Sequence, residues 1–299
     1  MENAPKYGVN AYSTPHNSVY DDIEQVVRTG GAGVGLFEGK FADGEDAKVR
    51  DAMDGHGLKA LYCVPRSHSI LGIPFGPSSR KMPLSQRVDL ICASIARLAA
   101  FDPVVIAVAP GTTGDPAHPA GPVEDVVAAL PVIADTAAEY GQQIGLELLA
   151  ERRGSPLNTL PDIVAVIDEV ARPNVGVLFD VFHSWCEPGL HEHIRAYAGR
   201  INSVQVCDVK VHERSGHDRE LPGLGRGTAP EIMATLIESG YDGWWELEVF
   251  SDDGTYFDAF PDSYWLLPHE EFLARSKAAF DAAYASALRI IAGRKAARP

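Results

Sequence analysis

Residues 175–208 read VGVLFDVFHSWCEPGLHEHIRAYAGRINSVQVCD. Two short apolar, β-branched runs, Val175 to Val181 and Ile201 to Val206, flank a longer stretch of mixed polarity. Runs this uniformly apolar are what strands buried on both faces require. Each ends in polar residues: Asp180 with His183 just beyond it, and Gln205 with Asp208 just beyond it. A buried carboxylate is tolerated only where something compensates it, so these endings point to a site rather than to packing.

The same unit repeats outward in both directions. Further candidate strands are Tyr7 to Ser13, Gly33 to Phe37, Leu58 to Val64, Val104 to Ala109, Ile144 to Leu149 and Trp244 to Phe250. Amphipathic helices lie between them, as in the rhythm of Val19, Ile23, Val26 and Val27, or of Val88, Ile91, Ile95 and Leu98. Thr159 is placed to cap a helix with Pro161 in its first turn, and Thr228 with Glu231 has the spacing of a capping box. Pro131 is expected to kink or split the helix over 123–140. Strand and helix alternating eight times, with polar residues gathered at strand carboxyl ends, predicts a single-domain (β/α)8 TIM barrel over 1–299, the tail from about 293 fraying. The long irregular stretches 66–83, 111–122, 211–227 and 251–268 all follow strands and are expected to gather over one mouth.

A net charge of −15 and the lack of any Lys/Arg run argue against nucleic acid as partner. No apolar run approaches the length of a membrane span. Cys63, Cys92, Cys186 and Cys207 form no CxxC pair, which suits a reducing compartment, and the opening Met-Glu-Asn-Ala-Pro-Lys lacks the order of a signal peptide. The expectation is a cytoplasmic enzyme. A homo-oligomer, or a partner subunit over the barrel mouth, stays open. Gly223-x-Gly225-x-Gly227 joins no strand to a helix, and His191-Glu192-His193 lacks metalloprotease spacing.

In a barrel the strand ends converge. Glu147, Asp180, Gln205 and one of Glu246 and Glu248, which share a strand face, would bring carboxylates and an amide oxygen to one point. Like charges so placed call for a counter-charge, and one divalent cation is the simplest. An all-oxygen donor set favours Mn²⁺ or Mg²⁺, with Co²⁺ as a third candidate.

Leu-Glu-Leu at 146–148, Asp-Val-Phe-His at 180–183, Gln-Val-Cys-Asp at 205–208, Arg-Glu-Leu-Pro-Gly-Leu-Gly at 219–225 and Leu-Glu-Val-Phe at 247–250, in this order, resemble the xylose-isomerase-like barrel superfamily. That superfamily of sugar phosphate isomerases and epimerases includes tagatose 3-epimerases, inosose isomerases and dehydratases, and 3-dehydroshikimate dehydratases. The resemblance runs from the first strand to about Ala282 and implies metal ligands at Glu147, Asp180, Gln205 and Glu248. It also implies that His183 and Arg219 touch substrate oxygens, with Lys40 and His68 as further candidate contacts. Glu246 is left a salt-bridge or outer-end residue. Epimerase members usually carry histidine where this chain has Gln205, whereas the dehydroshikimate dehydratases and some uncharacterised members carry glutamine.

The expected activity is therefore metal-dependent isomerisation, epimerisation or dehydration of a small keto-polyol (a keto-sugar, inosose or cyclic keto-acid) through a metal-stabilised enediolate. Glu147 or Glu248 is the expected base and the other the acid. A 3-keto-glycoside-cleaving lyase is an alternative outcome of the same first step. A barrel without activity, serving as a binding or assembly subunit, is the alternative of another class.

Overall fold

Strand-forming runs too apolar to face water on either side must be covered on both, and in this chain they are wrapped into a parallel barrel. A computed structural model describes residues 4–73, 79–113, 117 and 121–297. Eight strand positions follow in chain order: Tyr7–Asn10, Gly33–Gly35, a third in two pieces (Lys59–Ala60 and Tyr62–Cys63), Val105–Val108, Ile144–Glu147, Val175–Asp180, Ile201–Val206 and Trp245–Leu247. All pair in parallel, first with last included. The third position closes the ring: its first piece pairs with the second strand and its second piece with the fourth. Leu61 carries the ladder across the break, its amide bonded to Val34 O and its carbonyl to Val105 N.

Outward residues such as Val9, Val34, Leu146, Phe179, Val206 and Trp245 form the main core with the surrounding helices. A smaller core of Leu61, Tyr62, Val64, Val105, Ala107 and Leu178 fills the barrel itself. Tyr62 is fully buried, and its hydroxyl donates to Trp244 O at 2.5 Å and accepts from Val204 N at 2.9 Å. This side chain therefore ties the third strand to the seventh and eighth and plugs the floor.

Thr159 caps the helix Leu160–Val170 as expected, accepting from Asp162 N. Of the two outcomes expected at Pro131, a split is not what is found: the helix Val123–Glu139 continues through it. Two expectations need correcting. Thr228 makes no side-chain cap: the chain reaches it in a left-handed turn (φ 54°), because Asp208 anchors the preceding loop by accepting from Gly223 N and Gly227 N. The last helix, His269–Ala296, runs past Gly293, and residues 298–299 lie outside the described residues. Among the described residues no helix is long and apolar enough to cross a membrane.

Glycines in the first two strands make room for Leu61. A Cβ on Gly8 would run into Gly33 O and Leu61 Cδ1. Gly8→Ala is therefore expected to lower unfolding free energy by about 3 kcal/mol in urea titrations, the upper range for overpacking.

Candidate active site

Parallel pairing fixes which strand-end residues stand side by side. The register sets Glu147 beside Leu178, Asp180 beside Gln205 and Gln205 beside Glu246. Side chains in register point to one face, and here that face is the barrel interior. Above them opens a cavity of about 870 Å³ at the carboxyl ends of the strands. Each of the four long loops contributes to its wall: His68 and Ile73, Thr112 and Thr113, Glu213 to His217, and Tyr256 to Asp258. Parts of two of them, 74–78 and most of 114–120, lie outside the described residues.

Asp180 is completely buried and plays two roles. Its Oδ1 caps the short helix Val181–Ser184 by accepting from Phe182 N at 2.8 Å. Its Oδ2 accepts from Arg219 Nη1 at 2.9 Å. The same Nη1 donates to Glu248 Oε2 at 2.9 Å. Arg219 enters from the hairpin of Asp208–Val209 and Arg219–Glu220, and its guanidinium lies between the rings of Phe182 and Phe250, 4.5 and 4.9 Å from their centres. Burial opposes its charge, but Asp180 and Glu248 outweigh burial and hold its pKa above the ordinary arginine range.

This changes the electrostatic expectation. A side chain, not only a metal, supplies counter-charge to two of the carboxylates. Glu147 is left out of that arrangement. It accepts no hydrogen bond among the described residues, and burial, then Glu248 and Asp180, push its carboxyl well above the usual range. His183 stands over it, Nε2 being 3.9 Å from Glu147 Oε1 and 3.7 Å from Asp180 Oδ2. Burial, with Arg219 and Arg153 nearby, keeps that imidazole neutral. Donor atoms of Glu147, Asp180 and His183 all lie within 4.8 Å of one another, a group able to hold a metal ion. The sequence placed His183 at the substrate instead, and Glu248, expected among the ligands, is turned toward Arg219 and Gln205.

Gln205 is oriented by two glutamates. Its Nε2 donates to Glu246 Oε2 and to Glu248 Oε1, both at 3.1 Å. Its Oε1 is buried and has no hydrogen-bond partner among the described residues. A buried acceptor left over in this way fits a hard cation or a substrate hydroxyl.

Glu246 is neither a salt-bridge nor an outer-end residue. It is fully buried beneath Gln205, where Asn10 Nδ2 donates to Oε2 at 2.8 Å and Tyr62 N to Oε1 at 3.2 Å. Alternation on the last strand had put it on the inner face with Glu248; its partner Asn10, at the end of the first strand, carried no signal of its own.

Lys40 does not reach the cavity. Its ammonium is held by Asp22 Oδ2 at 2.7 Å and Thr14 O at 2.6 Å, a buried ion pair between the turn after the second strand and the first turn of the helix Val19–Arg28. The compensation that Asp22 needs there outweighs any role at the mouth. His68 does line the cavity, and burial lowers its pKa to about 4, so it is neutral. Sequence reasoning missed Arg152, Arg153 and His217, which also line it.

The chain belongs to the xylose isomerase-like TIM barrel family, whose model matches residues 23–280. It is 28% identical over 250 residues to a 3-dehydroshikimate dehydratase of Pseudomonas aeruginosa, covering 78% of this chain and 36% of that protein. It thus spans about a third of the length of that relative. It is 29% identical over 128 residues to an L-ribulose 3-epimerase of a Methylomonas species, covering 42% of each. Among solved structures, the IOLI protein with a bound zinc atom superposes with a TM-score of 0.75 at 18% identity, covering 93% of this chain and 97% of that one. Isomerases, epimerases and dehydratases are thus its relatives, and that structural likeness extends to the fold.

Burial raises the Glu246 carboxyl from 4.5 to about 8, against the opposing hydrogen bonds from Asn10 and Gln205. The folded chain then keeps a proton that the unfolded chain releases, so this group's contribution to stability falls as pH rises from about 4.5 through about 8. In chelator, the urea midpoint of wild type is expected to drop relative to Glu246→Gln between about pH 5 and about pH 8.5. A constant difference would mean that Glu246 is already ionised when folded.

Proposed function

We propose that this chain is a divalent-metal-dependent isomerase, epimerase or dehydratase of a small keto-polyol, with dehydration the favoured outcome. The observation that carries this reading is the group of Glu147, Asp180 and His183 at the cavity floor, beside the unpartnered Oε1 of Gln205. Glu147, Asp180 and His183 with Gln205 Oε1 would hold the ion, and Mn²⁺ or Mg²⁺ suits this oxygen-rich set. Glu248 closes the group from the side of Arg219.

When bound, the ion supplies a Lewis-acid charge that polarises a ketone carbonyl. The remaining work belongs to the chain. Glu147 faces the cavity without a hydrogen-bond donor on it among the described residues, so it is the group placed to take the proton next to the carbonyl. Burial raises the Glu248 carboxyl to about 7 against the opposing charge of Arg219, which suits it to supply the proton on the return. Arg219, its charge secured, stabilises negative charge that develops on the substrate. Tyr12, Phe250, Tyr256 and Phe257 wall the cavity with rings and exclude water. Reprotonation at carbon gives isomerisation or epimerisation; loss of a neighbouring hydroxyl gives dehydration. Gln205 in place of histidine, together with the match to the P. aeruginosa dehydratase, supports the second.

Elemental analysis after Mn²⁺ incubation tests the reading. Wild type is expected to retain about one ion per chain, and Glu147→Gln and Asp180→Asn to lose most of it, as a site of few ligands should. Turnover of keto-polyols is expected to fall about a hundredfold or more in Glu147→Gln. A wild type that takes up no metal would leave the inactive, binding-subunit alternative in its place.

A further inference from the structure

Five arginines line the cavity: Arg152, Arg153, Arg214, Arg219 and Arg226. Four are paired with carboxylates. Arg152 and Arg226 share Glu213, Arg214 holds Asp218 and Asp262, and Arg219 holds Asp180 and Glu248. Arg153 alone forms no ion pair among the described residues, although acidic residues outnumber basic ones 41 to 26 in the sequence. Its one side-chain hydrogen-bond contact among them is a long one, Nη2 to His217 Nε2 at 3.5 Å.

The surroundings are built around this free charge. Arg153 ends the turn Glu151–Arg153 that follows the strand bearing Glu147, so its guanidinium stands in the same cavity as the metal-ligating group. Gly216 passes directly against it, and a Cβ there would run into Nη1. His217 backs it, kept neutral with a pKa of about 4 by burial and by Arg153 and Arg219, and packs against Phe257 with the rings tilted by 40° and their centres 4.7 Å apart. Burial, then Arg219 and Arg152, lowers the pKa of Arg153 itself to about 10, the mark of a cation crowded by like charge. An anion arriving beside it relieves that repulsion. The planar fork of donors suits a carboxylate or a phosphate, and no hydroxyl offers it comparable compensation.

We propose that Arg153 is an anion subsite, so that the substrate of this barrel is a keto-polyol bearing a carboxylate or phosphate group rather than a neutral sugar or inosose. The assignment rests on the reading of the cavity as a keto-polyol site and adds the charge of the substrate to it. Arg153 fixes the far end of the molecule while the reacting carbonyl lies at Glu147, and held in this way two ends define which C–H bond meets the base.

The test compares ligands that differ in charge alone. Quinate is set against its methyl ester, and D-ribulose 5-phosphate against D-ribulose, in calorimetric titrations of wild type, Arg153→Gln and Arg153→Lys, with and without Mn²⁺. Wild type is expected to bind the anionic member of one pair at least about tenfold more tightly. That preference should vanish in Arg153→Gln and persist in part in Arg153→Lys. The pair that responds identifies carboxylate or phosphate. Equal affinity within both pairs, including no measurable binding of any of the four, overturns the proposal, as does a preference that Arg153→Gln retains. Metal content, read separately in each variant, reports on the reading of the metal site. A wild type without metal that still prefers the anion would leave Arg153 standing while that reading fell.

Discussion

Charge buried in a barrel must be answered by charge, and the Asp180–Arg219–Glu248 bridge is where this molecule does so. Water is displaced from the strand ends by packing, and a carboxylate that loses its hydration without a partner would rather bind a proton than remain ionised. One guanidinium nitrogen, 2.9 Å from both carboxylates, sets a positive charge between two of them. Much of the surrounding structure positions that nitrogen. The hairpin at Asp208–Val209 carries it inward, Asp208 ties down the hairpin's glycine loop, and Phe182 and Phe250 hold the guanidinium plane.

What the bridge leaves uncompensated defines the chemistry. Among the described residues Glu147 has no such partner, and the buried Nδ1 of His183 and Oε1 of Gln205 have no hydrogen bond. These groups sit at the boundary between a closed floor and an open mouth. Below them Leu61, Tyr62 and the strand glycines pack so tightly that nothing else enters; above them the loops leave a cavity large enough for a small polyol. Glu246 lies on the floor side and is satisfied by amides from Asn10, Gln205 and Tyr62. By accepting from the amide nitrogen of Gln205, it fixes which end of that amide is nitrogen and which is oxygen.

The mouth is unlike the floor in sign as well as in shape. In a chain of net charge −15, five arginines line one cavity, and four of them are paired with carboxylates. Local pairing therefore masks a basic lining that neither net charge nor residue order reveals. The aromatic loop over 256–258 covers this region, so charges there act in a drier medium than the surface would provide.

The sequence by itself determined the strands and pointed their ends, with Glu147, Asp180, Gln205 and one of Glu246 and Glu248, toward one mouth, because burial acts strand by strand and leaves its period in the residue order. Capping at Thr159 was legible for the same local reason, whereas at Thr228 a distant carboxylate, Asp208, decided the backbone. Only the tertiary structure decided who pairs with whom. Lys40 went to Asp22 of the first helix, Glu246 to the floor amides, His183 to Glu147 and Asp180, and Arg219 to carboxylates on two different strands. Arg153 was left facing the cavity. Coulomb energy depends on separation in space, and the members of these pairs come together mostly through closure of the ring, which no periodicity along the chain records.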